Sequence, residues 1–160
     1  MKAETIIKKL KDLDYKFEVH HHPAVYTVEE AKVYDDKIPG GNCKNMLLCN
    51  KKRTSHVLVI LEAHKRMDFK KLGEIIGLKG LKFAKEEKLH SLGTFAGSVS
   101  PFIILEDIDS DIKVYMDKEL SEYDLVNFHP NVNTMTLGLR TEDFLKFMKD
   151  NSHDVNIIEY

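Results

Sequence analysis

Apolar residues recur along the chain with two different spacings, which predict helices and strands in turn. Ile6, Ile7, Leu10 and Leu13 follow the spacing of an amphipathic helix, and residues 15–20 then alternate as a short strand. Strand-like apolar runs follow at 45–49, 56–62, 99–105, 112–116, 125–128, 135–139 and 155–158. The run 56–62 is apolar enough to predict a central strand that is covered on both faces.

Four more helices are predicted from residues that suit helix ends. Thr27 and Glu30 form a capping-box pattern, in which the hydroxyl accepts a hydrogen bond from the Glu30 amide and the carboxylate reaches back. Asp68 and Thr141 each precede apolar residues at helical spacing, so both are expected to be N-caps. A shorter helix is expected to end at Gly93, because glycine suits the left-handed position after a helix.

No linker rich in Gly, Ser or Pro and no repeat interrupts this pattern, so one domain is expected over residues 1–160. The predicted fold class is α+β, or mixed α/β, with a mixed, largely antiparallel, curved sheet surrounded by helices. The 42% hydrophobic and 31% charged residues argue against disorder and against a membrane protein. The N-terminus lacks the apolar core of a signal peptide, so a cytoplasmic protein without a membrane partner is expected.

Charge is distributed unevenly along the chain. Residues 1–88 carry 19 Lys/Arg against 13 Asp/Glu, whereas residues 89–160 carry 5 against 13. Basic clusters such as Lys51 and Lys52 are suited to binding phosphates, although lysines also commonly form the solvated side of amphipathic helices. Charge alone leaves both interpretations open.

Histidine and cysteine suggest metal chemistry that the spacing does not favour. Adjacent side chains on a strand face opposite ways, so at most His20 and His22 of the run 20–22 share a face, and no carboxylate is obviously placed to complete a site. Cys43 and Cys49 on one strand would lie about 20 Å apart, too far for a disulfide, which predicts two reduced core thiols. No metal and no cofactor are expected.

Three segments carry candidate chemistry. Lys44 and Asn45 follow a glycine pair and place a cation and an amide at the entrance of an apolar strand. The segment 97–101 lacks the second glycine of a nucleophile elbow, but Gly97 can bring backbone N–H groups close to a ligand oxygen. A third segment places His129 at the end of a strand, before an asparagine-rich turn.

Five blocks of the sequence resemble, in order, the free-standing aminoacyl-tRNA deacylases related to the editing domain inserted in bacterial prolyl-tRNA synthetase. They are His22-Pro23-Ala24-Val25-Tyr26-Thr27-Val28-Glu29-Glu30-Ala31, Lys44-Asn45, Gly97-Ser98-Val99-Ser100-Pro101-Phe102, Phe128-His129-Pro130-Asn131 and Thr141-Glu142-Asp143-Phe144-Leu145. The third and fourth blocks are more similar to the alanyl-tRNA(Pro) deacylases than to the cysteinyl-tRNA(Pro) ones. The chain departs from the family at Ala96, where proline is common, and at Lys85, where a capping serine is common.

The resemblance implies roles for the candidate residues. Lys44 is expected to contact the RNA terminus, Asn45 to lie beside the reacting group, Gly97 to offer backbone donors and His129 to shape the aminoacyl pocket. Four further residues are expected to bind the substrate: Ser98, Asn131, Lys51 and Lys52. The resemblance also implies that the terminal ribose hydroxyl of the tRNA assists water attack on the ester.

The predicted function is therefore trans-editing: hydrolysis of mischarged alanyl-tRNA(Pro). Such an activity is needed because a pocket built for a larger amino acid discriminates against a smaller one by only about 1–3 kcal/mol per missing methylene. The expected partner is mischarged tRNA, with transient contact to prolyl-tRNA synthetase or an elongation factor, and no DNA. The alternatives are a non-catalytic tRNA-binding or regulatory module, a deacylase for Cys, Ser or Gly, and a metal-dependent hydrolase.

Overall fold

The computed structural model describes residues 1–160, and its elements alternate much as the sequence predicts. Its helices are α1 (Ala3–Asp12), α2 (Val28–Asp35), α3 (Phe69–Ile76), α4 (Glu86–Ser91), α5 (Lys118–Ser121) and α6 (Thr141–Asp150), with a 3₁₀ helix at Pro101–Glu106. Its strands are β1 (Phe17–His21), β2 (Gly41–Cys49), β3 (His56–Glu62), β4 (Lys82–Phe83), β5 (Lys113–Asp117), β6 (Leu125–Phe128), β7 (Met135–Arg140) and β8 (Val155–Ile158). No helix is long and apolar enough to cross a membrane.

The strands form one mixed sheet in the order β1-β7-β6-β2-β3-β5-β8, and β4 adds a short pairing to β2. Pairing is antiparallel for β1 with β7, β6 with β7, β2 with β3 and β2 with β4. It is parallel for β2 with β6, β3 with β5 and β5 with β8. This architecture confirms the predicted fold class.

Strand β3 lies inside the sheet with apolar residues on both faces, as predicted. Leu58 and Ile60 point into the larger core, and Val57, Val59 and Leu61 point into the smaller one, because successive side chains of a strand face opposite ways. Each buried side chain of this kind contributes about 1.5–3 kcal/mol relative to exposure. Helix α3 covers the smaller core, and helices α1 and α6 contribute to the larger one.

Two of the predicted helix caps are confirmed. The Thr27 hydroxyl accepts a hydrogen bond from the Glu30 amide at 3.1 Å, and the Asp68 carboxylate accepts one from the Lys71 amide at 3.1 Å. The Glu30 carboxylate reaches back one residue further than a capping box requires and accepts a hydrogen bond from the Tyr26 amide at 2.8 Å.

The predicted cap at Thr141 is wrong. Arg140 holds the N-cap position, and Thr141 is the first residue of α6. The Thr141 hydroxyl donates a hydrogen bond to the carbonyl of Tyr123. This threonine therefore joins α6 to the loop before β6 instead of capping the helix.

The predicted strand at 99–105 is also wrong, because Pro101–Glu106 form the 3₁₀ helix. Ser100 caps that helix, its hydroxyl accepting a hydrogen bond from the Phe102 amide at 3.2 Å, and Pro101 supplies a φ suited to the first helical position. Phe102, Ile103 and Ile104 are all buried. A run that is apolar throughout does not distinguish a strand from a short buried helix.

Candidate active site

A gap in the sheet beside β2 creates a pocket. One edge of β2 pairs with β3 over Cys43–Cys49, but on the other edge β6 reaches only to Asn42 and β4 begins only at Leu48. Continuing the parallel register of β2 and β6 would bring Lys44 opposite His129, but β6 ends one residue earlier. The two side chains therefore belong at the same level on either side of the gap.

A cavity of about 150 Å³ lies at this gap, and all four residues predicted for the reacting centre line it: Lys44, Asn45, Gly97 and His129. The rest of its lining comes from α2 and the chain before it, from β2 and the residue after β3, and from the loop before the 3₁₀ helix: Val25, Tyr26, Thr27, Val28, Ala31, Asp35, Cys43, Ala63 and Val99. Ligand pockets usually measure about 300–1,000 Å³. This cavity therefore suits a small group.

Lys44 provides a half-buried cation on the cavity wall. It lies within β2 and not at the strand entrance, because β2 begins four residues earlier than predicted. Its Nζ donates a hydrogen bond to the carbonyl of Lys65, which leaves two of its three donors free. Burial lowers the pKa of Lys44, and the charges of Glu62 and Glu29 partly oppose this shift.

Gly97 supplies unengaged backbone donors. Its φ of +90° lies in the left-handed region that favours glycine, and an added Cβ would meet only the Tyr26 carbonyl, at 4.0 Å. The conformation, and not crowding, therefore calls for glycine. The N–H groups of Gly97 and Val99 have no acceptor within the protein. Free donors of this kind are what a developing oxyanion requires.

His129 lines the cavity as a neutral imidazole. Its Nδ1 lies 2.9 Å from the carbonyl of Met135, and because a carbonyl only accepts, this nitrogen donates. Burial lowers the pKa of His129, and the hydrogen bond to Met135 opposes that shift. The neutral ring thus carries its proton on Nδ1 and its lone pair on Nε2.

Comparison with known proteins places this arrangement in a family. Residues 22–147 match the model of the aminoacyl-tRNA editing domain. The chain belongs to that family. The predicted enzyme class, an aminoacyl-tRNA deacylase acting as an ester hydrolase, is thereby confirmed.

Relatives of this editing domain match it over nearly its whole length. The chain is 34% identical to the prolyl-tRNA editing protein ProX of Acetoanaerobium sticklandii, with 98% of this chain and 96% of that protein covered. It is 33% identical to prolyl-tRNA synthetase associated domain-containing protein 1 of Bos taurus, with 96% and 92% covered. A solved structure described as a proposed trans-editing enzyme for prolyl-tRNA synthetase shares the fold, with a TM-score of 0.70, 18% identity and coverage of 99% and 96%.

His22 lies next to the pocket of the editing domain, against His129, but does not line the cavity. One ring nitrogen contacts a backbone carbonyl at 2.9 Å, the other contacts the Thr136 hydroxyl at 3.0 Å, and the ring stacks on Tyr34 with centroids 5.2 Å apart. His20 Nε2 instead lies 3.3 Å from a Glu18 carboxylate oxygen. No group of three or more His, Cys, Asp or Glu side chains is arranged to hold a metal ion. Through its contacts with Tyr34 on α2 and Thr136 on β7, His22 holds α2 against the sheet.

Two predicted substrate-binding residues lie outside the pocket lining. The Ser98 side chain is fully buried and does not line the cavity. Asn131 adopts a φ of +59°, accepts a hydrogen bond from the Ser100 hydroxyl at 2.7 Å and donates one to the Met1 carbonyl at 3.3 Å. Its amide ties the turn after His129 to the 3₁₀ helix and the N-terminus.

Lys51 and Lys52 are exposed in the turn between β2 and β3, at the far end of β2 from Lys44. The strand continues for five residues beyond Lys44, so its end at Cys49 already lies about 17 Å away. The turn therefore cannot touch the reacting group. It belongs to a basic stretch, since residues 51–88 carry 11 Lys/Arg against 5 Asp/Glu, whereas residues 1–50 carry 8 of each.

Sequence reasoning missed two chemically relevant residues of the pocket, Asp35 and Cys43. Cys43 was expected to be a reduced core thiol; it packs against the larger core and also lines the cavity. Burial raises the pKa of its thiol, so Cys43 remains protonated and is a poor nucleophile. Asp35 ends α2 next to the exposed Asp36, and no local pattern distinguishes these two aspartates. Only the packing of α2 against the sheet places one of them in the pocket.

Proposed function

We propose that this editing domain acts in trans to hydrolyse alanyl-tRNA(Pro). One observation carries the proposal: Lys44, Asn45, Gly97 and His129, from three separate segments, line a single cavity of about 150 Å³. The cavity is small, and it combines a cation, free backbone donors and a neutral imidazole. These groups suit an aminoacyl ester at the end of a charged nucleic acid.

The proposed reaction needs no covalent nucleophile from the protein. An aminoacyl ester is already reactive, so the protein has only to position a water molecule and stabilise the oxyanion that forms. The N–H groups of Gly97 and Val99 are free to bind that oxyanion, and Lys44 is free to bind an oxygen of the RNA terminus. The terminal ribose hydroxyl of the tRNA assists the water. The thiol of Cys43 remains neutral.

Selection of alanine over proline is proposed to occur at the end of the cavity occupied by His129. The imidazole is fixed by its hydrogen bond to Met135 and by a T-shaped contact with His22, with ring centroids 5.7 Å apart. Because the His129 ring is held on two sides, it does not move aside easily to admit a larger amino acid. A pocket that excludes the larger amino acid complements a synthetase pocket that weakly rejects the smaller one.

The basic stretch 51–88 is proposed to bind phosphates of the tRNA away from its charged end. It contains the turn with Lys51 and Lys52 and the whole of α3. Lys44 lies next to this stretch, because its ammonium group donates a hydrogen bond to the carbonyl of Lys65. Excess positive charge of this kind supports binding to nucleic acid and gives it a strong salt dependence.

A deacylation panel tests the proposal. One transcript of tRNA(Pro) is charged separately with Ala, Pro, Ser, Gly or Cys, and kcat/KM is measured for each ester. Alanine is expected to be hydrolysed best and proline worst. Preference for Ser, Gly or Cys would assign the enzyme to another mischarged product. Tight tRNA binding without hydrolysis of any ester would make the chain a binding module.

A further inference from the structure

Asp35 is a carboxylate in an unfavourable position. It is the last residue of α2, where the negative end of the helix dipole disfavours an anion, and it lies half-buried on the cavity wall. No hydrogen bond or ion pair within the protein compensates for its burial, which raises the pKa of this carboxyl. Its neighbour Asp36 is exposed and pairs with Lys32 at 3.1 Å.

Such departures from local rules concentrate at functional sites. Two other acceptors line the same cavity as Asp35. The Oδ1 atom of Asn45 is buried without a hydrogen-bond partner, and Nε2 of His129 retains its lone pair because Nδ1 carries the proton. We call Asp35, Asn45 Oδ1 and His129 Nε2 the acceptor wall. Unpaired acceptors in a cavity predict a ligand that brings donors.

The cation of the pocket does not satisfy this wall. Lys44 pairs with no carboxylate, and the charges that act on it belong to Glu62 and Glu29. We call Lys44 and the N–H groups of Gly97 and Val99 the donor wall. The donors and the acceptors that line this pocket are therefore not paired with one another.

An aminoacyl ester has the complementary arrangement. Its α-amino group, with a pKa near that of a free amino terminus, about 7.7–8.0, is largely protonated at neutral pH. The ester carbonyl and the RNA phosphates supply oxygen atoms for the donor wall. Resting on the function proposed above, we propose that Asp35 binds the α-ammonium group of the aminoacyl ester, with Asn45 and His129 as the other acceptors.

Binding of the ammonium group has two consequences for specificity. An N-acylated aminoacyl ester has no positive charge to offer Asp35 and is rejected, which protects peptidyl and formylated esters from hydrolysis. The secondary ammonium of proline has two N–H donors where alanine has three. Proline therefore leaves one acceptor of the wall unpaired, in addition to being larger, and an unpaired buried acceptor is costly.

The test compares alanyl-tRNA with N-acetylalanyl-tRNA in wild type, Asp35→Asn and the matched control Asp36→Asn. Wild type and Asp36→Asn are expected to prefer the free amine strongly. Asp35→Asn should lose on the order of 10–100-fold on alanyl-tRNA, chiefly through KM, because the negative charge opposite the ammonium group is removed and only a neutral amide oxygen remains as acceptor. Its rate on the N-acetyl ester should be unchanged. Equal losses on both esters would overturn the proposal.

Binding measurements provide an independent readout. Calorimetry with 3′-alanylamido-3′-deoxyadenosine and its N-acetyl derivative measures affinity without turnover. Wild type should bind the free amine more tightly, and Asp35→Asn should lose most of that preference; an unchanged preference in the variant would refute the role of Asp35. Should Asp35→Asn fail to fold, Asp35→Glu keeps the charge and should retain the preference, whereas absence of the preference in a folded Asp35→Glu protein would count against the proposal. A wild type inactive on every mischarged tRNA would instead refute the proposed function.

Discussion

The donor wall and the acceptor wall of the pocket are assembled in different ways. Lys44 lies on β2, whose position is fixed by its pairing with β3. Gly97 acts through its backbone, whose conformation is local. The position of each donor therefore depends on its own segment of the chain. On the acceptor wall, Asp35, Asn45 and His129 come from a helix, a strand and a turn. Positive charge in this pocket therefore follows local sequence, whereas the negative side depends on how α2 packs against the sheet.

Removing the cation of the donor wall should have the largest effect. Lys44→Ala is expected to lower kcat/KM on alanyl-tRNA(Pro) by a factor on the order of 10²–10³, because removing one partner of a partly buried charged contact, here with an oxygen of the RNA terminus, costs about 2–5 kcal/mol. Single-turnover and steady-state deacylation measure it. Lys113→Ala, at an exposed position at the start of β5, is the matched control and should retain full activity. Full activity of a folded Lys44→Ala protein would remove this residue from the site.

Straining the other donors should have a somewhat smaller effect. Gly97→Ala is expected to reduce deacylation by a factor on the order of 10–10², because a side chain at positive φ costs about 1–2 kcal/mol and displaces the N–H groups. Gly77→Ala offers a matched control, since Gly77 has a φ of +76°, open space around it and no place in this pocket. Both variants should lose similar thermal stability. If both or neither lost activity, the donor role of Gly97 would be unsupported.

On the acceptor wall, a change at His129 should alter selectivity more than rate. His129→Ala is expected to raise hydrolysis of prolyl-tRNA relative to alanyl-tRNA by a factor on the order of 10, within the range that one small group controls in a pocket. The ratio of kcat/KM values for the two esters measures this change.

The pH dependence of the deacylation rate distinguishes two roles for His129: a wall of the amino-acid pocket and a general base. Because burial lowers the pKa of His129, a general base would lose activity as the pH falls below about 6.5, and His129→Ala would remove that acidic limb. Equal losses on both esters together with disappearance of the limb would make His129 a catalytic base and contradict its assignment to selection.

Charge reversal far from both walls should affect affinity alone. Lys51→Glu with Lys52→Glu is expected to weaken tRNA binding and to lower the slope of log affinity against log salt by about one for each phosphate that the protein no longer binds. Hydrolysis of bound substrate should be unchanged, because the turn lies far from Lys44. Lys146→Glu with Lys149→Glu on α6 is the control. A decrease in affinity confined to the control pair would place the RNA on another face.

Much of the fold could be predicted because local patterns report on local structure. The alternation of Leu58, Val59 and Ile60 predicted a strand covered on both faces, and Thr27 and Asp68 cap helices as expected. The predictions were wrong where one sequence pattern is compatible with two different structures. An apolar run after Ser100 suits a strand or a buried 3₁₀ helix, and Thr141 suits a cap or a tertiary hydrogen bond.

For the candidate site, the sequence by itself determined the family and identified four residues that line one cavity, because the motif blocks occur in a fixed order along the chain. Only the tertiary structure decided which other residues join them. The gap beside β2 brings Lys44 level with His129, and the packing of α2 turns Asp35 into the cavity while Asp36 faces solvent. Ser98 and Asn131 are buried and do not line the cavity. Pocket membership depends on contacts between distant segments, and no local pattern encodes those contacts.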